Sequence, residues 1–372
     1  MEMNLAVLSL FGFLVAFIIV IVSVPSIVNV ARIKGLLDEP GIRKCHQYKT
    51  PNLGGIAIFA SIIITMGLFL DTSRNRELVY LLAAITVMFF VGIKDDILII
   101  APSKKLLGEI IAVLILVVLG NLRFTSLHGF LGIYTIDYTA SLLLSCFVMI
   151  VIINGFNLID GIDGLAAGIG IVVSLTFGLW FYVAGLINYT IISAIIAGAL
   201  CAFFRYNVFG GKNKIFMGDT GSLILGLIAS VFVIRFNEAN LQYHGAFAFR
   251  SAPAVSFGIL IIPLFDTIRV FILRVSRGQS PFRPDMNHLH HRILMLGFSH
   301  VESTVIIATT NIFFIVLMLT FGSMGLMALM AINLVVATSL VLILEYCIYQ
   351  RVKIHANLDL QLKGIKVDKR SA

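Results

Sequence analysis

A chain of 372 residues with a net charge of +8, 59% hydrophobic and only 12% charged, is not a soluble globular domain, which carries about 25% charged residues. Its mean hydropathy is +1.02, and no internal repeat, low-complexity tract or separate soluble domain interrupts it. The four cysteines, Cys45, Cys146, Cys201 and Cys347, lack metal spacing and imply no disulfide framework.

Eleven apolar runs near the roughly 20 residues a spanning helix needs predict an all-α integral membrane protein of about eleven transmembrane helices. They cover 5–30, 53–70, 78–93, 106–120, 139–153, 164–186, 189–204, 220–235, 253–274, 303–321 and 325–348. The first begins without a basic segment and is too long for a cleaved signal core, so it reads as a permanent span. Alternate loops then carry 21 and five Lys/Arg residues, with Arg269 inside a span. The positive-inside rule puts the rich side in the cytoplasm, the N-terminus outside and the C-terminus inside. The net charge is thus a topology signal, and nucleic acid is not an expected partner. Residues 1–352 form the membrane domain and 353–372 a polar cytoplasmic tail, loosely ordered. The largest outside segment, 121–138, has the alternation and His-Gly centre of a short hairpin.

The first cytoplasmic loop, DEPGIRKCHQYKTPNLGG at 38–55, contains His46 and ends in Gly54-Gly55, where backbone can come close to a ligand or another helix. A plain basic loop is its bland reading. The second, VGIKDDILIIAPSKK at 91–105, sets Asp95 beside Asp96. Adjacent carboxylates at a span end repel, so they need a cation or a shared proton, or they are two solvated charges.

The third, NGFNLIDGIDGLAAG at 154–168, places Asp160 and Asp163 among apolar residues. A carboxylate facing lipid costs roughly 3 kcal/mol, and positions i and i+3 share a helix face, so both could address one cation or proton. The fourth, FRYNVFGGKNKIFMGDTGS at 204–222, combines glycines, Asp219 and hydroxyls in a turn suited to a phosphate with its metal. A helix N-cap is the bland alternative.

The fifth, RVSRGQSPFRPDMNHLHHRIL at 274–294, clusters His288, His290 and His291 with Arg277, Arg283 and Arg292. Histidines alone would suggest zinc, but arginines repel a cation and suit a diphosphate. Asp266 and Arg269, i,i+3 within the ninth span, read as an internal ion pair fixing the helix. Singly each loop has a bland reading. Jointly, carboxylates and a His/Arg cluster on one side form a layout for phosphoryl transfer at a membrane surface.

These pieces resemble the polyprenyl-phosphate N-acetylhexosamine-1-phosphate transferases, the membrane superfamily that includes phospho-N-acetylmuramoyl-pentapeptide transferase and the dolichyl-phosphate enzyme. The first loop, Asp95-Asp96, Asn154–Gly168, Phe216–Ser222 and Asp285-x-x-His288-x-His290-His291 occur in the family's order and span nearly the whole chain. The resemblance implies transfer of a sugar 1-phosphate from a UDP-sugar to a polyprenyl phosphate, releasing UMP, in a bacterial cytoplasmic membrane. It implies Mg²⁺, with Mn²⁺ as a substitute, on Asp219. Asp95 becomes the nucleophile or base on the lipid phosphate, with Asp96 its partner. Asn157, Asp160 and Asp163 line the nucleotide pocket and order the site. Asn207 and Phe216 match uridine-contacting positions. His288, His290, His291 and Arg292 hold phosphate, with His46 a further substrate contact.

The first loop and the HxHH element look like the N-acetylglucosamine branch that starts O-antigen, enterobacterial-common-antigen or teichoic-acid linkage units. UDP-N-acetylglucosamine with undecaprenyl phosphate is therefore the expected substrate pair, leaving a muramoyl-pentapeptide or another N-acetylhexosamine donor as alternatives. The assembly state is open, a homodimer included. Spans with internal Asp and Arg also fit an ion-coupled secondary transporter, but such sites lie near the midplane in repeated halves, and here the acids gather at one surface.

Overall fold

The structure, a computed structural model, describes residues 4–38, 49–71, 75–98, 100–280 and 286–362. In chain order the helices are α1 (Leu5–Lys34), α2 (Gly54–Phe69), α3 (Arg76–Leu98), α4 (Pro102–Leu114), α5 (Tyr138–Ile159), α6 (Leu165–Val183), α7 (Ile187–Phe209), α8 (Gly218–Asn240), α9 (Ala252–Ile259), α10 (Ile261–Ser276), α11 (Leu289–Met295), α12 (His300–Phe321) and α13 (Leu326–Leu362). Two short antiparallel pairs complete it: β1 (Leu37–Asp38) with β2 (Thr50–Pro51), and β3 (Ser126–Phe130) with β4 (Ile133–Thr135). The molecule is an all-α integral membrane protein.

Every apolar run lies on a helix, but the count of full-length spans is smaller than eleven. Among the described residues eight helices are long and apolar enough to cross a membrane, and nine if the α9–α10 pair is one bent span. The other two runs are short for physical reasons. The 16 residues of α2 start late because the preceding chain is stitched to the segment before α8. The 13 residues of α4 follow Pro102 at its first turn and continue for five as π-helix, Ile115–Leu119.

The run at 253–274, expected as one helix, breaks at Leu260 with an 85° bend. A break inside a bilayer frees backbone groups that must find partners. Here Asn311 of α12 donates to the Ile259 carbonyl (3.1 Å) and Asn333 of α13 to that of Ala254 (3.1 Å). Both asparagines are fully buried, and the bend is thereby built from three helices.

The centre of the bundle is α8, buried along almost its whole length between α3, α5 and α2. Close approach is made by glycines. A side chain at Gly92 would meet the Thr220 backbone at 2.4 Å, and one at Gly55 would meet the Gly221 nitrogen at 2.3 Å. The expected hairpin is present, but its turn is at Leu131-Gly132, both with positive φ, and His128-Gly129 sits within β3. The segment expected as a loose tail is helical through Leu362; residues 363–372 lie outside the described residues.

Candidate active site

Asp96 shows how the sequence builds this end of the bundle. It is in the last turn of α3 and faces the first turn of α8, whose backbone N–H groups lack helical partners. It accepts from the Asp219 nitrogen (2.8 Å), the Thr220 nitrogen (3.0 Å), the Thr220 hydroxyl (2.5 Å) and the Asn52 amide (3.1 Å). Asp96 therefore caps α8 from another helix, and the favourable helix dipole adds to the hydrogen bonds. Gly218 is obligatory beside it. Its φ is +71°, and a Cβ there would stand 2.6 Å from the Asp96 carboxylate. Expected as a catalytic partner of Asp95, Asp96 instead fixes where Asp219 points.

Asp219 leaves that cap with its carboxylate turned toward α4 and α5. Lys105 of α4 bridges Asp219 Oδ2 (3.0 Å) and Asp95 Oδ2 (3.2 Å) and donates to Asn157 Oδ1 (3.2 Å). Asn157 donates in turn to Asp219 Oδ1 (2.5 Å) and to the Ser222 hydroxyl (2.9 Å). The other oxygen of Asp95 accepts from the Ile100 nitrogen (2.8 Å). Three of the expected residues, Asp95, Asn157 and Asp219, are thus joined by one lysine that reads in the sequence only as a positive-inside charge. The signal that marks it is local: Pro102 starts a helix, and Lys105 and the buried Glu109 stand i,i+4 on one face. Glu109 accepts from the Asn154 amide (2.6 Å).

The Asp160–Asp163 turn is a second concentration of charge, and the two acids part company. Asp163 pairs with Lys214 (2.6 Å) and with His300 (3.4 Å). Burial opposes its charge, but the hydrogen bonds from His300 and Lys214 outweigh it and hold the carboxyl below its usual range. Asp160 is half-buried. Burial first, then the charges of Asp219, Asp96 and Asp163, push it well above the usual carboxylate range. The Lys214 ammonium also lies 5.8 Å from the centre of the Phe216 ring, so Phe216, Lys214 and Asp163 form one corner.

Asn207 is buried, accepting from the Gly164 nitrogen (2.6 Å) and donating to the Ile215 carbonyl (2.9 Å). It ties that turn to the segment before α8 instead of offering its amide to a ligand. Gly161 makes room for the fifth loop, since a Cβ there would stand 2.3 Å from His290 Nε2.

Within the fifth loop the expected phosphate ligands separate. His288 is buried and lines the cavity described next. His290 is buried against Gly161, and burial, helped by His291, lowers it to about 3. Its ring lies 4.2 Å from that of His291. Arg292 turns away: its Nε donates to Glu345 of α13 (2.8 Å), a tether rather than an anion ligand. His46 and Asp285 lie outside the described residues.

A cavity of about 1240 Å³ opens where these elements meet. Its polar head holds Asp95, Lys105, Asn157, Asp219, Arg274 and His288, and its walls include Phe147, Ile150, Val151, Leu158 and Phe271. A charged head continuous with apolar walls suits an amphiphile that carries an anion.

The central part of the chain, residues 78–237, matches the family model described as glycosyl transferase family 4. An undecaprenyl-phosphate alpha-N-acetylglucosaminyl 1-phosphate transferase of Escherichia coli O157:H7 is 31% identical over 282 residues, covering 75% of this chain and 74% of that protein. The chain belongs to the polyprenyl-phosphate N-acetylhexosamine-1-phosphate transferase family. A decaprenyl-phosphate N-acetylglucosaminephosphotransferase of Mycobacterium tuberculosis strain H37Rv is 31% identical over 299 residues, 73% of this chain and 72% of its own length. One of the same name from Mycobacterium leprae is 30% identical over 292 residues, 72% of each. Asp95, Asp96 and Asp219 line the cavity, whereas Asp160 and Asp163 stand outside its lining.

Proposed function

We propose that this protein transfers N-acetylglucosamine 1-phosphate from UDP-N-acetylglucosamine to undecaprenyl phosphate, as a phosphoglycosyltransferase of the bacterial cytoplasmic membrane. The observation that carries the reading is the convergence of Asp95, Lys105 and Asp219 at the polar head of an apolar-walled cavity. The tail of the lipid would lie between α5 and α10, with its phosphate at Lys105, Arg274 and His288. The names of the relatives favour N-acetylglucosamine over a muramoyl-pentapeptide donor.

The donor set fits Mg²⁺. Among the described residues no three His, Cys, Asp or Glu side chains form a metal group, but Mg²⁺ takes only one or two carboxylates plus phosphate oxygens and water. Asp219 and Asp95 each aim one oxygen at a common point, each about 3 Å from Lys105 Nζ. Asp219 would be the main ligand, and the ion would offset the charge of the donor diphosphate. Asn157 holds Asp219 in place. Lys105 would move its ammonium onto phosphoryl oxygens as substrate enters. Asp95 faces the acceptor phosphate, whose second pKa is near 6, so the acceptor is already largely dianionic at neutral pH.

In the transfer, an oxygen of the lipid phosphate forms a bond to the β-phosphorus of the donor as the bond to UMP breaks. Phe216, Lys214 and Asp163 form the corner proposed for the nucleotide. The test is UMP release by detergent-purified protein: it should require undecaprenyl phosphate and stop when EDTA removes divalent cations. UMP release without lipid phosphate, or unaffected by EDTA, would refute the reading.

The site end is proposed to face the cytoplasm, from the 21 to five Lys/Arg split. Single cysteines at Tyr134, exposed on the hairpin, and at Ser280 in a cysteine-free background should label from opposite faces of intact cells. Labelling from the same face would overturn this topology.

A further inference from the structure

Asp266 and Arg269 of α10 do more than brace their own helix. Asp266 is 1% exposed. Its Oδ2 lies 2.9 Å from His288 Nδ1, its Oδ1 accepts from Arg269 (2.8 Å), and both oxygens accept from the Leu289 nitrogen at 3.1 and 3.2 Å. The same Arg269 nitrogen donates to the Asn287 carbonyl. One ion pair thus grips three consecutive residues, 287, 288 and 289, at the start of α11.

Holding the backbone needs only the Leu289 and Asn287 contacts. The contact to the imidazole is additional, and it has a chemical consequence. A carboxylate paired with a guanidinium and accepting from a backbone N–H has no proton to give, so His288 Nδ1 must be the donor. The ring therefore carries its proton on Nδ1, and Nε2 is the nitrogen free to meet a ligand. No described residue partners Nε2, and His288 lines the cavity that holds Asp95, Lys105 and Asp219.

We propose that Asp266 is a positioning residue that, with Arg269, sets the tautomer and aim of His288, so that Nε2 addresses the oxygens of the lipid phosphate at the cavity head. This rests on the reading of the cavity as a phosphoryl-transfer site. The α9–α10 bend gives it a place: Asp266 stands one turn past Pro263, so the break that turns α10 across α5 also delivers the carboxylate beneath the loop.

The test combines a double-mutant cycle with a spectrum. Asp266→Asn can still accept from Leu289, but its amide group can face Nδ1 and favour the opposite tautomer. The variant should lose on the order of 10²-fold or more in kcat with little change in the KM for the donor. His288→Ala combined with Asp266→Asn should be no slower than His288→Ala alone. Additive losses would overturn the proposal, because a merely structural Asp266 would add its damage to that of His288. Independently of activity, ¹⁵N-labelled histidine spectra, with His288 assigned through His288→Gln, should show a protonated Nδ1 in the unmutated protein and an unprotonated one in Asp266→Asn. An unprotonated Nδ1 in the unmutated protein would overturn it even if the variant fails to fold. Absent UMP release with the expected spectrum would instead fault the functional reading.

Discussion

The two ends of the bundle use polar residues in opposite ways. At the end away from the cavity, Glu77 binds the Tyr189 hydroxyl and Arg235 (3.1 Å), and that guanidinium lies over the Tyr189 ring. Glu238 accepts from the Thr125 nitrogen (2.7 Å) and hydroxyl (2.6 Å), Asn240 from the Phe249 nitrogen (2.8 Å), and Trp180 donates to the Phe247 carbonyl (2.9 Å). The Glu77 contacts tie α3, α7 and α8 together, the others each tie a loop to a helix, and each carboxylate meets matching donors. At the cavity end five aspartates gather around two lysines, Lys105 and Lys214. Asp96 is used up in capping α8, Asp163 is paired, Asp95 and Asp219 share one ammonium, and Asp160 has no side-chain partner among the described residues. One end closes its charges and the other leaves a negative excess, which the proposed Mg²⁺ and the basic loop would offset.

The contrast between the two ends is greatest at Asp219. Asp219→Asn should cut UMP formation on the order of 10³-fold while the protein inserts and folds, because the cap is made by backbone N–H groups and Asp96. Near-normal cation-dependent turnover would remove Asp219 from the site. Next is Lys105→Met. It leaves two carboxylates facing each other without their ammonium. A loss of about 10²-fold in kcat and about 3 kcal/mol of stability should follow, with added Mg²⁺ restoring part of the stability. No recovery of thermal stability on Mg²⁺ titration would show that Asp95 and Asp219 do not form a common cation site.

The opposite end should behave in reverse. Glu77→Gln breaks the Arg235 pair and weakens the Tyr189 contact, costing about 1–3 kcal/mol of stability, with kcat per folded molecule unchanged. A large kcat loss at full stability would mean the far end takes part in turnover. The smallest effect concerns pH. His290 is neutral in the fold, lowered by burial to about 3 from its ordinary 6.5. The unfolded chain therefore takes up this proton first, and stability falls as pH drops from about 6.5 toward 3. His290→Gln cannot gain the charge, so its melting temperature should vary less over that window. An unchanged slope would show that His290 is not the buried neutral group.

How much of this was legible in the sequence follows from which interactions are local. The apolar runs are local, and each became helical, 253–274 as two helices. Loop identity was equally readable, because Asp95, Asp219 and the 154–168 motif sit where runs end. Partner choice was not. Asp96 reads as one half of an acid pair, and only the packing of Gly92 on Thr220 reveals it as a cap. Lys105 reads as one more basic loop residue until α4 turns it inward. Asn207 and Arg292 carry ligand-binding chemistry in the sequence, and tertiary neighbours, Gly164 with Ile215 and Glu345, consume it. The bend at Leu260 had no local signal strong enough to break an apolar run. Its partners Asn311 and Asn333 lie over 50 residues away.

The proposed chemistry occurs at phosphorus rather than at the sugar. UDP-N-acetylglucosamine labelled with ³²P in its β-phosphate, incubated with purified protein, undecaprenyl phosphate and Mg²⁺, separates the two. Attack at the β-phosphorus carries the label into the lipid extract in step with UMP release. Label that stays in the aqueous phase as UDP while the sugar reaches the lipid would mean glycosyl transfer, and the account given for Asp95, Lys105 and Asp219 would be wrong.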